Sequence, residues 1–310
     1  MTHERVLLIA TATVLATGVL WGLYWLPVRA MVDRGMPGGW GTVLATCAAV
    51  MVTALPALRR WSEIRSAGWP TLAALLVGGA GFTLYSVGLV YSRVAIIILL
   101  FFLTPVWSVL LGRLLMGWRV PVLRMVAIGV GLLGLLVMLG AEGELPLPRG
   151  AGEWMALVAG MLWALGTTGI RAKSTLGPMP ATFIFAIGAA LTACAVAPGF
   201  EPWPDTGASL PLLLIALFTG ALWWGVSLAA LMWAALRLDP ARVGILMQTE
   251  VLVGALSAAL LAGEHLAPLE ILGGALVVVA GLLEVLPIRR KAPLRGSGSS
   301  AAEPSGPPRP

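Results

Sequence analysis

The chain has 310 residues, of which 59% are hydrophobic and only 11% charged, with a net charge of +6. A soluble domain carries about 25% charged residues, so this composition calls for lipid as solvent and excludes a water-soluble globular protein. Two cysteines and two histidines in the whole chain imply neither a disulfide framework nor a metal centre.

Ten apolar segments follow in chain order. Segments one to five are Val6–Val28, Gly38–Leu58, Gly68–Ser92, Val94–Gly112 and Met125–Ala141, and none contains an Asp, Glu, Lys or Arg. Segments six to eight, Trp154–Ile170, Thr175–Phe200 and Thr206–Leu236, are equally free of charge. Segment nine, Val243–Gly263, holds Glu250, and segment ten, Pro268–Leu286, holds Glu270 and Glu284 near its ends. Most reach the roughly 20 residues that a spanning helix needs. They lack the period-two alternation of barrel strands. The predicted fold is an all-α membrane protein of ten transmembrane helices. Segment one is too long for a signal-peptide core and lacks a small-residue cleavage site, so it is expected to remain as a span. Cys47 and Cys194 lie inside apolar segments and are expected to be small core residues.

The first five segments resemble the last five. Gly18-Val19-Leu20-Trp21-Gly22-Leu23 leads on to Val28-Arg29-Ala30, and Gly160-Met161-Leu162-Trp163-Ala164-Leu165 leads on to Ile170-Arg171-Ala172, an offset of 142 residues. Leu103-Thr104-Pro105 likewise falls near Gln248-Thr249-Glu250, and Gly117 near Gly263. An odd number of spans per half inverts the second half, giving the 5+5 inverted-topology repeat of secondary transporters. The expected units are 6–141 and 154–288, joined by an external linker at 142–153 and followed by a disordered tail at 289–310. That tail is rich in Gly, Ser and Pro and has no apolar core to bury. With the N-terminus in the cytoplasm, sixteen Lys and Arg fall on the inner side and four, Arg29, Arg34, Arg93 and Arg149, on the outer side. This bias places both termini in the cytoplasm. The basic charge is thereby a topology signal with the lipid bilayer as its partner, not nucleic acid.

Glu250 is the one ionisable group deep inside a long apolar run. It lies seven residues past Val243, roughly 10 Å along a helix. A charge there costs at least ~2.5 kcal/mol, so the carboxyl either faces a cavity or is neutral. It reads as a proton site, as a contact for a substrate ammonium, or as a protonated carboxyl bonded to a neighbouring helix with Gln248 and Thr249 as further glue. Aromatic residues crowd segment one (Trp21, Tyr24, Trp25), three (Phe82, Tyr85), four (Phe101, Phe102, Trp107), six (Trp163) and eight (Trp223, Trp224). Trp21 and Trp163 are repeat mates that either line a cavity or pack. Pro27 and Pro105 each remove a backbone hydrogen bond, and a kink at Pro105 would free a carbonyl towards a cavity. Glycines in segments five and ten suit close packing between halves or between subunits, which leaves monomer and homodimer both open. No Ser/His/Asp set, HExxH or phosphate-binding loop is present, so catalysis has no residues to use and no cofactor is expected.

Ten spans, cytoplasmic termini, the five-plus-five repeat and the Gly-x-Leu-Trp-[Gly/Ala] opening of each half resemble the drug/metabolite transporter superfamily, EamA-like branch. Leu261-Ala262-Gly263-Glu264-His265 is similar to that family's small-Gly-Glu turn, whereas Trp118 stands where segment four would usually carry Glu. Within the branch the chain looks most like the YddG-type aromatic amino acid exporters. The resemblance implies a bacterial inner-membrane exporter with a central cavity formed by segments one, three, four, six, eight and nine. Carried over by position, the lining is Trp21, Tyr24, Tyr85, Phe101, Trp163, Trp223 and Glu250, to which Gln248 is added. The implied substrate is an aromatic or other apolar amino acid; small drugs or organic cations are the alternative in the same fold.

Overall fold

The computed structural model describes residues 3–116, 122–141, 147–173, 176–204, 207, 209–238 and 240–285. The tail expected at 289–310, and Trp118, lie outside them. In lipid every backbone N–H and C=O must be satisfied within the protein, and apolar runs answer this by forming helices. The described residues hold fourteen α-helices and no strand. The helices of segments one to five are α1 (His3–Gly22), α2 (Trp25–Val32), α3 (Trp40–Leu58), a short α4 (Trp61–Ser66), α5 (Trp69–Tyr91), α6 (Val94–Phe101), α7 (Thr104–Met116) and α8 (Val122–Leu139). Those of segments six to ten are α9 (Ala151–Lys173), α10 (Pro178–Val196), α11 (Leu210–Thr219), α12 (Leu228–Ala235), α13 (Pro240–Leu261) and α14 (Pro268–Val285). A π-helical stretch, Gly220–Ser227, makes α11 and α12 one continuous rod. Among the described residues seven stretches are long and apolar enough to cross a membrane, and two shorter apolar helices, Met125–Leu139 and Pro268–Leu283, accompany them.

Segments one and four are each broken in two, and a proline explains each break. Pro27 has no N–H for the Leu23 carbonyl, which takes Leu26 N–H at 3.1 Å instead. Tyr24 N–H turns to Trp21 O at 3.0 Å, and the Leu20 carbonyl accepts Leu23 N–H at 3.1 Å and the Trp223 indole at 2.7 Å. Pro105 is the second residue of α7, after a turn at Phe102–Leu103. It was expected to free a carbonyl towards a cavity. The carbonyl in question, Phe101 O, instead accepts the Thr104 hydroxyl at 2.6 Å. A hydroxyl one residue ahead of the proline is enough to satisfy it.

α5 lies against α9 and α10, α3 against α10 and the π-helical stretch, α1 against α12 and α13, α8 against α14, and α6 against α9 and α13. Each pair joins a helix before residue 140 to one after residue 150. Lipid supplies no hydrophobic drive between helices, so contact depends on close approach. Gly134 and Gly273 provide it between α8 and α14: a Cβ on Gly273 would lie 2.6 Å from the Met138 nitrogen, and one on Gly134 2.7 Å from the Gly273 carbonyl. The glycine-rich segments thus build an interface within the chain. Cys194, expected in the core, is exposed on α10, and Cys47 is half-buried.

Overpacking this seam costs about 1–3 kcal/mol. Gly273→Leu is therefore expected to lower the unfolding midpoint in detergent micelles. Gly129→Leu on α8, where a Cβ meets nothing within 4 Å, leaves it in place.

Candidate functional site

The breaks, the π-helical stretch and α5 converge on one aromatic cluster. Phe82 of α5 is its hub, with the rings of Trp21, Tyr85, Phe101, Trp163, Phe185 and Trp224 around it at centroid distances from 4.6 to 6.2 Å. Most meet edge to face, the arrangement that ring quadrupoles favour. Tyr24 stands 5.0 Å from Trp21, and Tyr85 4.6 Å from Phe101. Trp21, Tyr24, Tyr85, Phe101 and Trp223 are buried, while Trp163 is partly so. These six were expected to line a cavity. They fill the space by packing against one another.

Their polar atoms are paired across helices. Trp21 Nε1 donates to Ser227 Oγ at 2.8 Å, and Trp25 Nε1 to Ser257 Oγ at 3.0 Å. Trp224 Nε1 donates to Tyr24 Oη at 2.9 Å, and Tyr24 shares a hydrogen bond with Ser86 Oγ at 2.7 Å. Ser86 in turn bonds Thr42 Oγ1 at 2.8 Å. The π-helical turn is what lets the neighbours Trp223 and Trp224 both be buried, and π-turns of this kind recur at functional sites.

Glu250 enters the cluster from α13. It is 1% exposed, and Tyr85 Oη donates to its Oε1 at 3.3 Å. Among the described residues no Lys, Arg or His pairs with it. α13 reaches this depth because Gly18 and Gly22 let α1 close on it; a Cβ on Gly22 would lie 2.9 Å from the Glu250 carbonyl. Gln248 is not brought to the cluster. Two residues along a helix is a rotation of about 200°, so it points to the other side of α13 and abuts Gly281 of α14. It is 9% exposed, and its Oε1 has no hydrogen-bond partner among the described residues.

What this arrangement offers, among the described residues, is an apolar interior with one carboxyl, several hydroxyls and no nucleophile–base pair. The EamA-like transporter family model matches the sequence over residues 8–140 and again over 150–285. The chain belongs to the EamA-like transporter family. It is therefore a multi-pass membrane transporter of the drug/metabolite transporter superfamily, a family of transporters and not of enzymes. A solved crystal structure is similar to it in fold over 91% of this chain and 96% of its own, with a TM-score of 0.59 at 21% identity. No curated protein matches the transporter in sequence.

Phe185, Ser86, Ser227 and Ser257 of this transporter carried no signal of their own in the sequence. One phenylalanine or serine in an apolar run looks like any other, and only the crossing of α2, α5, α10, α13 and the π-helical stretch sets these apart. Phe82 and Trp224 were visible as aromatics, but not as hub and neighbour.

Removing the Ser227 hydroxyl strands a buried indole N–H, at a cost of about 1–3 kcal/mol. Ser227→Ala is expected to lower stability by that amount in denaturant titrations of the micellar protein. Adding Trp21→Phe, which removes the stranded donor, makes the double variant less destabilised than the two single effects would sum to.

Proposed function

We propose that this transporter is an alternating-access exporter of aromatic and other apolar amino acids, and related small metabolites, across the bacterial inner membrane. The observation that carries the reading is the Phe82-centred cluster with Glu250 at its edge, buried where the helices of both halves cross. An aromatic side chain can exchange ring contacts with such a cluster, each worth ~0.5–1.5 kcal/mol beyond area burial. Multiply charged substrates would find no counter-ions there, whereas a zwitterion can be met by Ser, Thr and Tyr hydroxyls and Glu250. Trp21, Tyr24, Tyr85, Phe101, Trp163, Trp223 and Glu250 form the binding site in this reading, with Gln248 set behind it. The likeness to YddG-type exporters favours the same substrates.

Ten spans in two inverted repeats, 6–141 and 154–288, underlie the mechanism. Packing supports this: exchanging each segment for its mate five places along turns one–nine into six–four, three–six into eight–one and three–seven into eight–two, and each of these contacts occurs. Two–seven and five–ten map onto themselves. The charge bias places both termini in the cytoplasm, so the end bearing Arg29, Arg93 and Glu264 faces outward.

Proteoliposomes loaded with labelled Phe, Trp or Thr are expected to release label through the protein, and release of none of the three would reject the substrate class. Glu250 carries the coupling proton in this scheme. Glu250→Gln is expected to abolish the acceleration of flux by a pH gradient, and unchanged acceleration would remove that role. A buried carboxyl beside aromatic faces also suits an organic cation. Quaternary ammonium compounds that compete with, or replace, the amino acids would favour that second reading.

A further inference from the structure

At the Arg29 end of the bundle a set of charges joins the two halves, and the transport reading above assigns it no role. Two residues past the end of α13 stands Gly263, whose φ of +64° is the left-handed turn that glycine adopts at least cost. The following N–H, that of Glu264, bonds back six residues to Ala258 O at 3.2 Å, closing the helix end in a fixed geometry. The Glu264 carboxylate is thereby aimed at the start of α6. It accepts Val94 N–H at 2.8 Å and Ala95 N–H at 3.2 Å, where the helix dipole favours negative charge. The same carboxylate pairs with Arg29 of α2 at 3.3 Å, its side chain 9% exposed. Arg29 also donates to the Ser92 carbonyl at 3.1 Å and lies over the Trp25 ring. Beside it, Arg93 makes a two-pronged bond to Glu270 of α14, at 2.6 and 3.1 Å, and donates to His265 O at 2.7 Å. Glu270 holds its own loop through Ala267 N–H at 2.8 Å.

Each of these pairs joins an element before residue 100 to one after residue 260. Val94 is seven residues from Phe101, so the set lies about 10 Å beyond the aromatic cluster along α6. Any movement that opens the cluster towards this end must part α2 and α6 from the α13–α14 connection, and so must break both pairs.

The opposite end differs in sequence. The offset of 146 that relates Gly117 to Gly263 sets Trp118 at the place of Glu264, so the carboxylate has no counterpart there. At the same offset Arg93 falls on Asp239 and Glu270 on Arg124, opposite charges in exchanged order. Glu264 is thus the part of the set present at one end alone.

We infer that Arg29–Glu264 and Arg93–Glu270 form a latch that holds the transport path shut at the Arg29 end, and that Glu264 is the positioning residue whose release permits opening there. The inference rests on the alternating-access reading but not on the substrate. Its test needs no substrate, so an absence of amino acid flux would leave it standing.

The test uses a single reporter cysteine, Ile97→Cys, in the full-length protein with Cys47→Ser and Cys194→Ser. Ile97 is fully buried on α6 between latch and cluster. A membrane-impermeant thiosulfonate is added to vesicles from each side in turn. Slow labelling is expected in the parent. Glu264→Gln is expected to speed labelling from the Arg29 side about tenfold, the loss of one charged hydrogen-bonded pair. Arg29→Ala should act similarly, and the double variant should be no faster than the faster single one, because both remove the same contact. Glu264→Asp, which keeps the charge, should stay nearer the parent. An unchanged rate in Glu264→Gln overturns the latch. So does equal speeding from both sides together with a lower unfolding midpoint, since that outcome makes Glu264 a support of the fold and not of one gate.

Discussion

Four indole N–H groups in the middle of this bundle find their acceptors inside the protein, because lipid offers none; the buried Trp107 Nε1 of α7 has no partner among the described residues. Trp21 finds its acceptor on Ser227, Trp25 on Ser257, Trp223 on the Leu20 carbonyl and Trp224 on Tyr24. All four bonds run between the first half of the chain and the second. Aromatic rings supply the contact area, but the indole bonds set which helix faces which. Each is a single bond between the two halves. A core of aliphatic side chains alone would carry no such register.

The departures from regular helix serve the same requirement. Beside the break at Leu23–Tyr24, Leu20 O accepts the Trp223 indole, the π-helical turn buries Trp223 and Trp224 together, and the Thr104 hydroxyl covers the carbonyl that Pro105 leaves. The two broken segments, one and four, both belong to the first half. Their mates, six and nine, run as the continuous helices α9 and α13. At the repeat position of Pro105 the second half carries Glu250, so the place where one half interrupts its backbone is the place where the other buries its carboxyl. The two family-matched stretches, 8–140 and 150–285, thus differ in chemistry at this place.

Close approach between halves depends on missing side chains. Gly18 and Gly22 admit α13, and Gly134 and Gly273 admit each other's helices. The ion-paired groups among the described residues lie towards the ends of the segments. At the Arg29 end they pair across halves, and the glycine turn at Gly263 fixes where Glu264 points.

The sequence by itself determined the lipid environment, the helical class, the approximate segment limits and the residues of interest Trp21, Trp163 and Glu250. Charge-free length, local aromatic density and a carboxyl in an apolar run are all properties of neighbours along the chain. It also flagged Pro27 and Pro105 as interruptions, since a missing N–H is a local fact. Only the tertiary structure decided that Phe82 is the hub, that the expected lining packs shut, and that Gln248 turns away from Glu250 although two residues separate them. It alone paired Arg29 with Glu264 and Arg93 with Glu270, residues more than 170 apart. The physical reason is that a helix face is chosen by what crosses it. In lipid, where apolar residues gain nothing by leaving the solvent, that choice rests on indole bonds, glycine contacts and ion pairs between distant segments.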